Sequence, residues 1–130
     1  MKFNRIKISS RSQRIFGEIK SHTGLTPNIL ARFAICMSLK EKSIPNPAEY
    51  NEDGSELAPN VLFGEYEEIY LALILNRLKQ DQLGPEDKLG HEDNLNKMMR
   101  AHLNRGAIAL GPRIKDLSDF YELVKEERNV

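Results

Sequence analysis

The stretch from Gly24 to Leu39, Gly-Leu-Thr-Pro-Asn-Ile-Leu-Ala-Arg-Phe-Ala-Ile-Cys-Met-Ser-Leu, constrains the fold more than any other part of the sequence. Gly24 is placed to close a helix as its C′ residue, because glycine enters the left-handed region without a Cβ penalty. Thr26 is an N-cap candidate, Pro27 suits the first helical position, and Leu25 and Leu30 are spaced as a hydrophobic staple. The helix this predicts, 27–39, is apolar around most of its circumference and needs cover on several sides. A chain of 130 residues with 40% hydrophobic residues has one modest core to offer it. A single domain over 1–130 is therefore expected, completed by contact with another subunit in a homo-oligomer.

The segments on either side of this helix fill in a mainly α fold. Residues 3–8 alternate, with Ile6 and Ile8 on one side and Phe3, Arg5 and Lys7 on the other, as in a half-buried strand. A first helix is expected from about Ser10 or Ser12 to His22, with Ile15, Phe16 and Ile19 as its apolar stripe. Residues 1–40 thus have the order strand, helix, glycine turn, helix of a ribbon-helix-helix module, in which a second chain would pair with the strand. Three prolines, three asparagines and a Gly-Ser pair mark 43–63 as an acidic surface loop or arm. About three further helices are expected in the helical part, 63–127. The first spans 63–80, with Tyr66, Ile69, Tyr70, Leu73, Ile74 and Leu78 apolar. The second spans 92–104, with Leu95, Met98, Met99 and Leu103. The third spans 117–127, capped by Asp116 and packed through Leu117, Phe120 and Leu123 or Val124. Gly106 to Pro112 reads as a glycine-bounded connector.

Charge is segregated along the chain although the total is zero. Residues 1–40 carry eight Lys/Arg and one acid, residues 41–95 four and thirteen, residues 96–115 five and none, and residues 116–130 two and five. Local potential, not net charge, makes an electrostatic footprint for nucleic acid. The candidates for double-stranded DNA are Lys2, Arg5, Lys7, Arg11, Arg14 and Lys20, on the strand and the helix after it. Arg100, Arg105, Arg113 and Lys115 form a second set. The competing reading is that both basic stretches pair with the acidic middle of the same or a neighbouring chain.

Catalytic chemistry finds little footing. The single cysteine, Cys36, excludes a disulfide framework and any multi-cysteine metal site. It lies mid-helix between Ile35 and Met37 and reads as a small buried thiol. His91-Glu92-Asp93 lacks a second ligand at metal spacing and reads as the start of a helix. The 106–111 glycine stretch lacks the Lys-Ser/Thr of a phosphate loop. No catalytic residue, metal site or cofactor is expected. The longest apolar run, 69–75, falls far short of the roughly 20 residues of a membrane span, and the N-terminus has no apolar signal core, so a cytoplasmic protein is expected.

Asn4-Arg5-Ile6, the string His22-Thr23-Gly24-Leu25-Thr26-Pro27-Asn28-Ile29-Leu30-Ala31-Arg32, and Gly-Ala-Ile-Ala-Leu-Gly at 106–111 resemble the DNA sulfur-modification protein E (DndE) family over essentially the whole chain. The family belongs to a pathway that replaces a non-bridging phosphate oxygen of DNA with sulfur. The resemblance implies a non-catalytic accessory subunit that binds duplex DNA, with affinity for nicked duplex, as a compact tetramer. Its implied partners are the pathway's iron–sulfur protein, which resembles adenylylsulfate reductases, and its ATPase. Two other functions fit the residues: a sequence-specific ribbon-helix-helix repressor, and a structural adaptor that does not touch DNA.

Overall fold

A computed structural model describes residues 2–86 and 93–128. Helices dominate. Strand β1 (Ile6–Lys7) leads into α1 (Ser10–Thr23) and α2 (Pro27–Lys40). A 3-10 turn at Pro47–Glu49 and strand β2 (Glu56–Leu57) come next. A short helix α3 (Pro59–Phe63) and another 3-10 turn run into α4 (Glu67–Gln80), and α5 (Asn94–Leu110) and α6 (Leu117–Arg128) complete the order.

The first forty residues fold as their local chemistry dictates. Ser9 caps α1 by accepting from the Ser12 N–H at 3.0 Å. Gly24 ends the helix at φ 79° and donates its N–H to the Lys20 carbonyl at 2.8 Å. Pro27 opens α2 as expected. Thr26 precedes it in extended conformation but makes no side-chain cap bond to the helix; its hydroxyl bonds the Asn28 side chain instead. Leu30, Ala31, Ala34, Ile35 and Ser38 form the fully covered face of α2, and its main partner is α5.

Three expectations need correction here. The ribbon expected from β1 and a second chain finds its partner at home: Ile6 pairs with Leu57 and Lys7 with Glu56, antiparallel, within the same chain. The segment 43–63 is accordingly not a plain acidic loop or arm, since it supplies β2, α3 and the fully buried Leu62 and Phe63. Phe3 does not share the outer side with Arg5 and Lys7. It lies before the strand begins and is buried against Phe63, ring centroids 4.6 Å apart.

The longest helix also departs from the sequence reading. Residues 106–110 are not a connector but the last turns of α5, which runs unbroken from Asn94. Glycine is tolerated there because α2 needs the space: a Cβ on Gly106 would stand 1.9 Å from the Ala34 carbonyl oxygen. Removing the side chain lets two helix backbones approach closely, and dispersion contacts repay the helix propensity that glycine gives up. Asp93 caps α5 through the Asn96 N–H at 2.8 Å, while His91 and Glu92, read with it as a cap region, lie outside the described residues. Asp116 caps α6 in a reciprocal box, accepting from the Asp119 N–H at 3.0 Å while Asp119 accepts from the Asp116 N–H at 3.2 Å. Leu123 is buried and Phe120 packs edge-on to Phe33, whereas Leu117, expected inside, is exposed. No described helix is long and apolar enough to cross a membrane.

Candidate nucleic-acid interface

The N-terminal segment is fastened to α5 by two asparagines. Asn96 Oδ1 accepts the Asn4 N–H at 2.8 Å, and Asn104 Oδ1 accepts the Ser9 N–H at 3.0 Å and the Ser12 hydroxyl at 2.7 Å. Both asparagines are buried. They fix β1 and the start of α1 against the helix that carries the second basic stretch.

The fold gathers part of each basic set into one place. Arg11, Arg14, Glu18 and His22, spaced three, four and four residues apart, line one side of α1. Opposite them stand Ile108, at the end of α5, and the following residues Gly111, Pro112, Ile114 and Lys115. Between the two walls is an open cleft of about 690 Å³, with Ile15 and Ile19 also among its lining. Gly111 permits this approach, because a Cβ there would meet the Ile15 side chain at 3.3 to 3.5 Å. Arg11, Arg14 and Lys115 are all exposed.

The remaining sequence candidates go elsewhere. Lys20 lies about half a turn around α1 from Arg11, at 100° per residue, and does not line the cleft. Arg5, just before β1, and Lys7 on it are exposed, but Lys7 stands in register with Glu56 of β2, an opposite-charge cross-strand pair. Lys2 lines a small depression with Glu67 and Glu68. Arg113 pairs with Glu126 at 2.7 Å.

Arg100 and Arg105, expected as surface cations, are turned inward. Arg100 is 7% exposed and has Glu52 at 3.6 Å. Arg105 donates to Ser38 Oγ, to the Ser38 carbonyl and to the Ser43 carbonyl, each at 2.8 Å. Arg77, not singled out from the sequence, joins the same buried region. It donates to the carbonyls of Leu39, Lys42 and Ser43 and pairs with Asp81 at 2.8 Å. These carbonyls lie at and beyond the end of α2, where backbone acceptors lack helical partners, and a guanidinium has enough donors to serve several at once. His102 completes the region. Ser38 Oγ accepts from Arg105 Nε and shares a second hydrogen bond with His102 Nδ1, 2.8 Å away. Burial, then the charges of Arg77 and Arg105, hold the imidazole neutral and push its pKa down to about 3.

Cys36 was expected to be buried and is exposed. The covered face of α2 runs through 31, 34, 35 and 38, and position 36 turns out beside α4, its sulfur 3.6 Å from Tyr70 Oη. Burial raises the Tyr70 pKa, so the phenol stays neutral near pH 7. Among the described residues no group of three or more His, Cys, Asp and Glu is arranged to hold a metal ion.

Comparison with known proteins agrees with this architecture. A match to the family described as DNA sulphur modification protein DndE extends over residues 5–117. No curated protein matches the chain. The crystal structure of DndE from Escherichia coli B7A, involved in DNA phosphorothioation modification, superposes with a TM-score of 0.63 at 28% identity, covering 85% of this chain and 99% of that one. A DndE G21/24K mutant structure gives the same TM-score of 0.63 at 24% identity over 85% of this chain and 99% of that one, and so speaks for the fold. With a family match over most of its length and a fold shared with a solved member, the chain belongs to the DNA sulphur modification protein DndE family.

Proposed function

We propose that this protein is a non-catalytic DNA-binding subunit of the phosphorothioation machinery, holding duplex DNA, nicked duplex included, through its sugar–phosphate backbone. The observation that carries this reading is the meeting of Arg11 and Arg14 with Lys115 around one cleft, although about a hundred residues separate them in sequence. Among the described residues, the one acid lining it is Glu18. Arg5, exposed just before β1, is a further candidate contact outside the cleft. Contacts of this kind position a protein on DNA without reading sequence, which suits a machinery whose chemistry is on phosphate. Cys36 is in keeping with the non-catalytic part, because the Tyr70 hydroxyl 3.6 Å from its sulfur is held protonated by burial and is no base near neutral pH.

The reading includes assembly into a homotetramer. Ile29 on α2 and Ile69 and Leu73 on α4 are 41%, 58% and 41% exposed, with Tyr66 and Val61 exposed nearby. Large aliphatic side chains left this open are the material of a subunit interface. The exposed carboxylates of Glu49, Asp53, Glu65 and Glu68 leave an acidic surface for the other proteins of the machinery.

The test is fluorescence anisotropy with labelled duplex over a range of salt. Arg11→Glu with Arg14→Glu should weaken binding to intact, nicked and unrelated duplexes alike. Each lost phosphate contact should lower the slope of log K against log salt by about one. Affinity and slope that survive this double reversal unchanged would place any DNA surface elsewhere.

A further inference from the structure

The cleft between α1 and the end of α5 has walls of two chemical kinds. Arg11, Arg14 and Lys115 supply positive charge and N–H donors, while the half-buried Ile15 and Ile108 supply aliphatic surface, the buried Ile19 and Ile114 adding little. An ordinary phosphodiester uses only the first kind. Its two non-bridging oxygens are strongly hydrated, and turning one against isoleucine side chains costs hydration with nothing returned. Base stacking does not account for the aliphatic walls either, because among the described residues no Phe, Tyr or Trp lines the cleft and its one ring is that of His22. Glu18 stands between Arg14 and His22 on the same side of α1 and repels a run of phosphates, so the cleft suits a single backbone position.

One backbone group matches both walls. In a phosphorothioate diester a sulfur replaces one non-bridging oxygen. The group keeps a single negative charge and one good acceptor oxygen for an arginine or lysine. Its sulfur is large, polarisable and poorly hydrated, and gains from contact with carbon. We infer that this cleft reads the phosphorothioate itself, so that the protein recognises modified DNA in preference to the unmodified backbone. The inference rests on the reading that the chain binds DNA, and adds that it discriminates between the machinery's starting material and its product. The phosphorus is chiral, and the cationic and aliphatic groups occupy different positions in the cleft, so one diastereomer is favoured over the other.

The full-length protein should be titrated by anisotropy with three short duplexes of one sequence. One carries a normal central phosphate; the others carry a single central phosphorothioate of Rp or of Sp configuration. One diastereomer should bind about five-fold more tightly than the unmodified duplex, the effect expected for part-burial of one soft atom. Ile15→Thr or Ile108→Thr, each checked for a native melting curve, should bring the affinity ratio of modified to unmodified duplex to one, whatever the change in overall affinity. Arg14→Gln should weaken all three duplexes together. Equal affinity for the three duplexes would overturn the inference and leave the DNA-binding reading standing. Failure of every duplex to bind would remove the DNA-binding reading and this inference with it. A preference that survives both isoleucine substitutions would place sulfur recognition outside the cleft and also overturn the inference.

Discussion

Gly106 and Ala34 meet backbone to backbone, with room between them for no side-chain atom: a Cβ built on Gly106 falls 1.9 Å from the Ala34 carbonyl oxygen. This contact sets the distance between α5 and α2, and through α5 it sets where Ile108 and Lys115 stand opposite α1.

Gly106→Ala should therefore destabilise the fold, because backbone must move to admit one methyl group. Overpacking of this kind costs about 1–3 kcal/mol, and a clash with main chain belongs at the upper end. Gly17→Ala is the control: Gly17 is also helical, yet has nothing within 4 Å of an added Cβ. Alanine there should stabilise by up to about 1 kcal/mol through helix propensity. Urea denaturation of the two variants should give shifts of opposite sign.

His102 should make the fold sensitive to mild acid. Its folded pKa of about 3 lies below the ordinary value of 6.5, so the unfolded chain binds the proton more readily. Stability is then fully present above about pH 6.5, falls as pH drops below it, and goes on falling until the folded ring protonates near 3. His102→Gln, which keeps a polar group near Ser38, should flatten the profile between pH 6.5 and 4. A thermal melting series across that range would show it, and parallel profiles for both proteins would refute the assignment. Asp116, whose pKa is lowered by its bonds to Ser118 and Asp119, adds a separate loss only below its ordinary value of 3.8.

Arg77→Met should cost about 3–5 kcal/mol, the range for breaking a buried charged pair, since it leaves Asp81 and three backbone carbonyls without their donor. Arg77→Lys should recover only part of that loss, because one ammonium cannot reach the same acceptors as a planar fork. Equal stability of the lysine variant and wild type would show that charge alone suffices.

Assembly and thiol chemistry can be probed on the exposed side of α2 and α4. Ile69→Asp should leave a folded protein of lower mass by sedimentation, because Ile69 is 58% exposed within its own chain. Ile35→Asp should instead unfold it, since Ile35 is fully buried in the chain's own core. Cys36→Ala should change stability by less than about 0.5 kcal/mol, as for an ordinary surface site, and should still support sulfur incorporation in cells. Complete loss of phosphorothioate from folded Cys36→Ala protein would speak for a catalytic thiol.

Local chemistry made most of the helices legible. Gly24 and Pro27 fixed the α1–α2 corner, Asp116 fixed the start of α6, and the stripe of Ile15, Phe16 and Ile19 fixed which side of α1 faces inward. What the sequence hid was close approach between distant segments. Gly106 reads as a breaker unless one knows that Ala34 lies against it. Arg100 and Arg105 read as surface cations because nothing nearby in sequence announces Glu52 or the Ser38 and Ser43 carbonyls. The strand partner of Ile6 was invisible for a similar reason, since Glu56–Leu57 is too short to alternate. Half of the cleft could be anticipated from the spacing of Arg11, Arg14, Glu18 and His22. The other half depends on where α5 ends, and a connector expected at 106–112 concealed it.

The two asparagines of α5 also bear on the order of events during synthesis. Asn4 is held by Asn96 and Ser9 by Asn104, partners 92 and 95 positions downstream. The amino end leaves the ribosome first but gains these anchors only after most of the chain has been translated. Until then the segment of Arg5, Lys7, Arg11 and Arg14 has only its earlier partners, Asn51, β2 and Phe63, to hold it. Nascent chains arrested on a C-terminal linker long enough to clear the exit tunnel, and truncated before or after residue 104, should differ in protease resistance at the N-terminus, protection rising with the longer one.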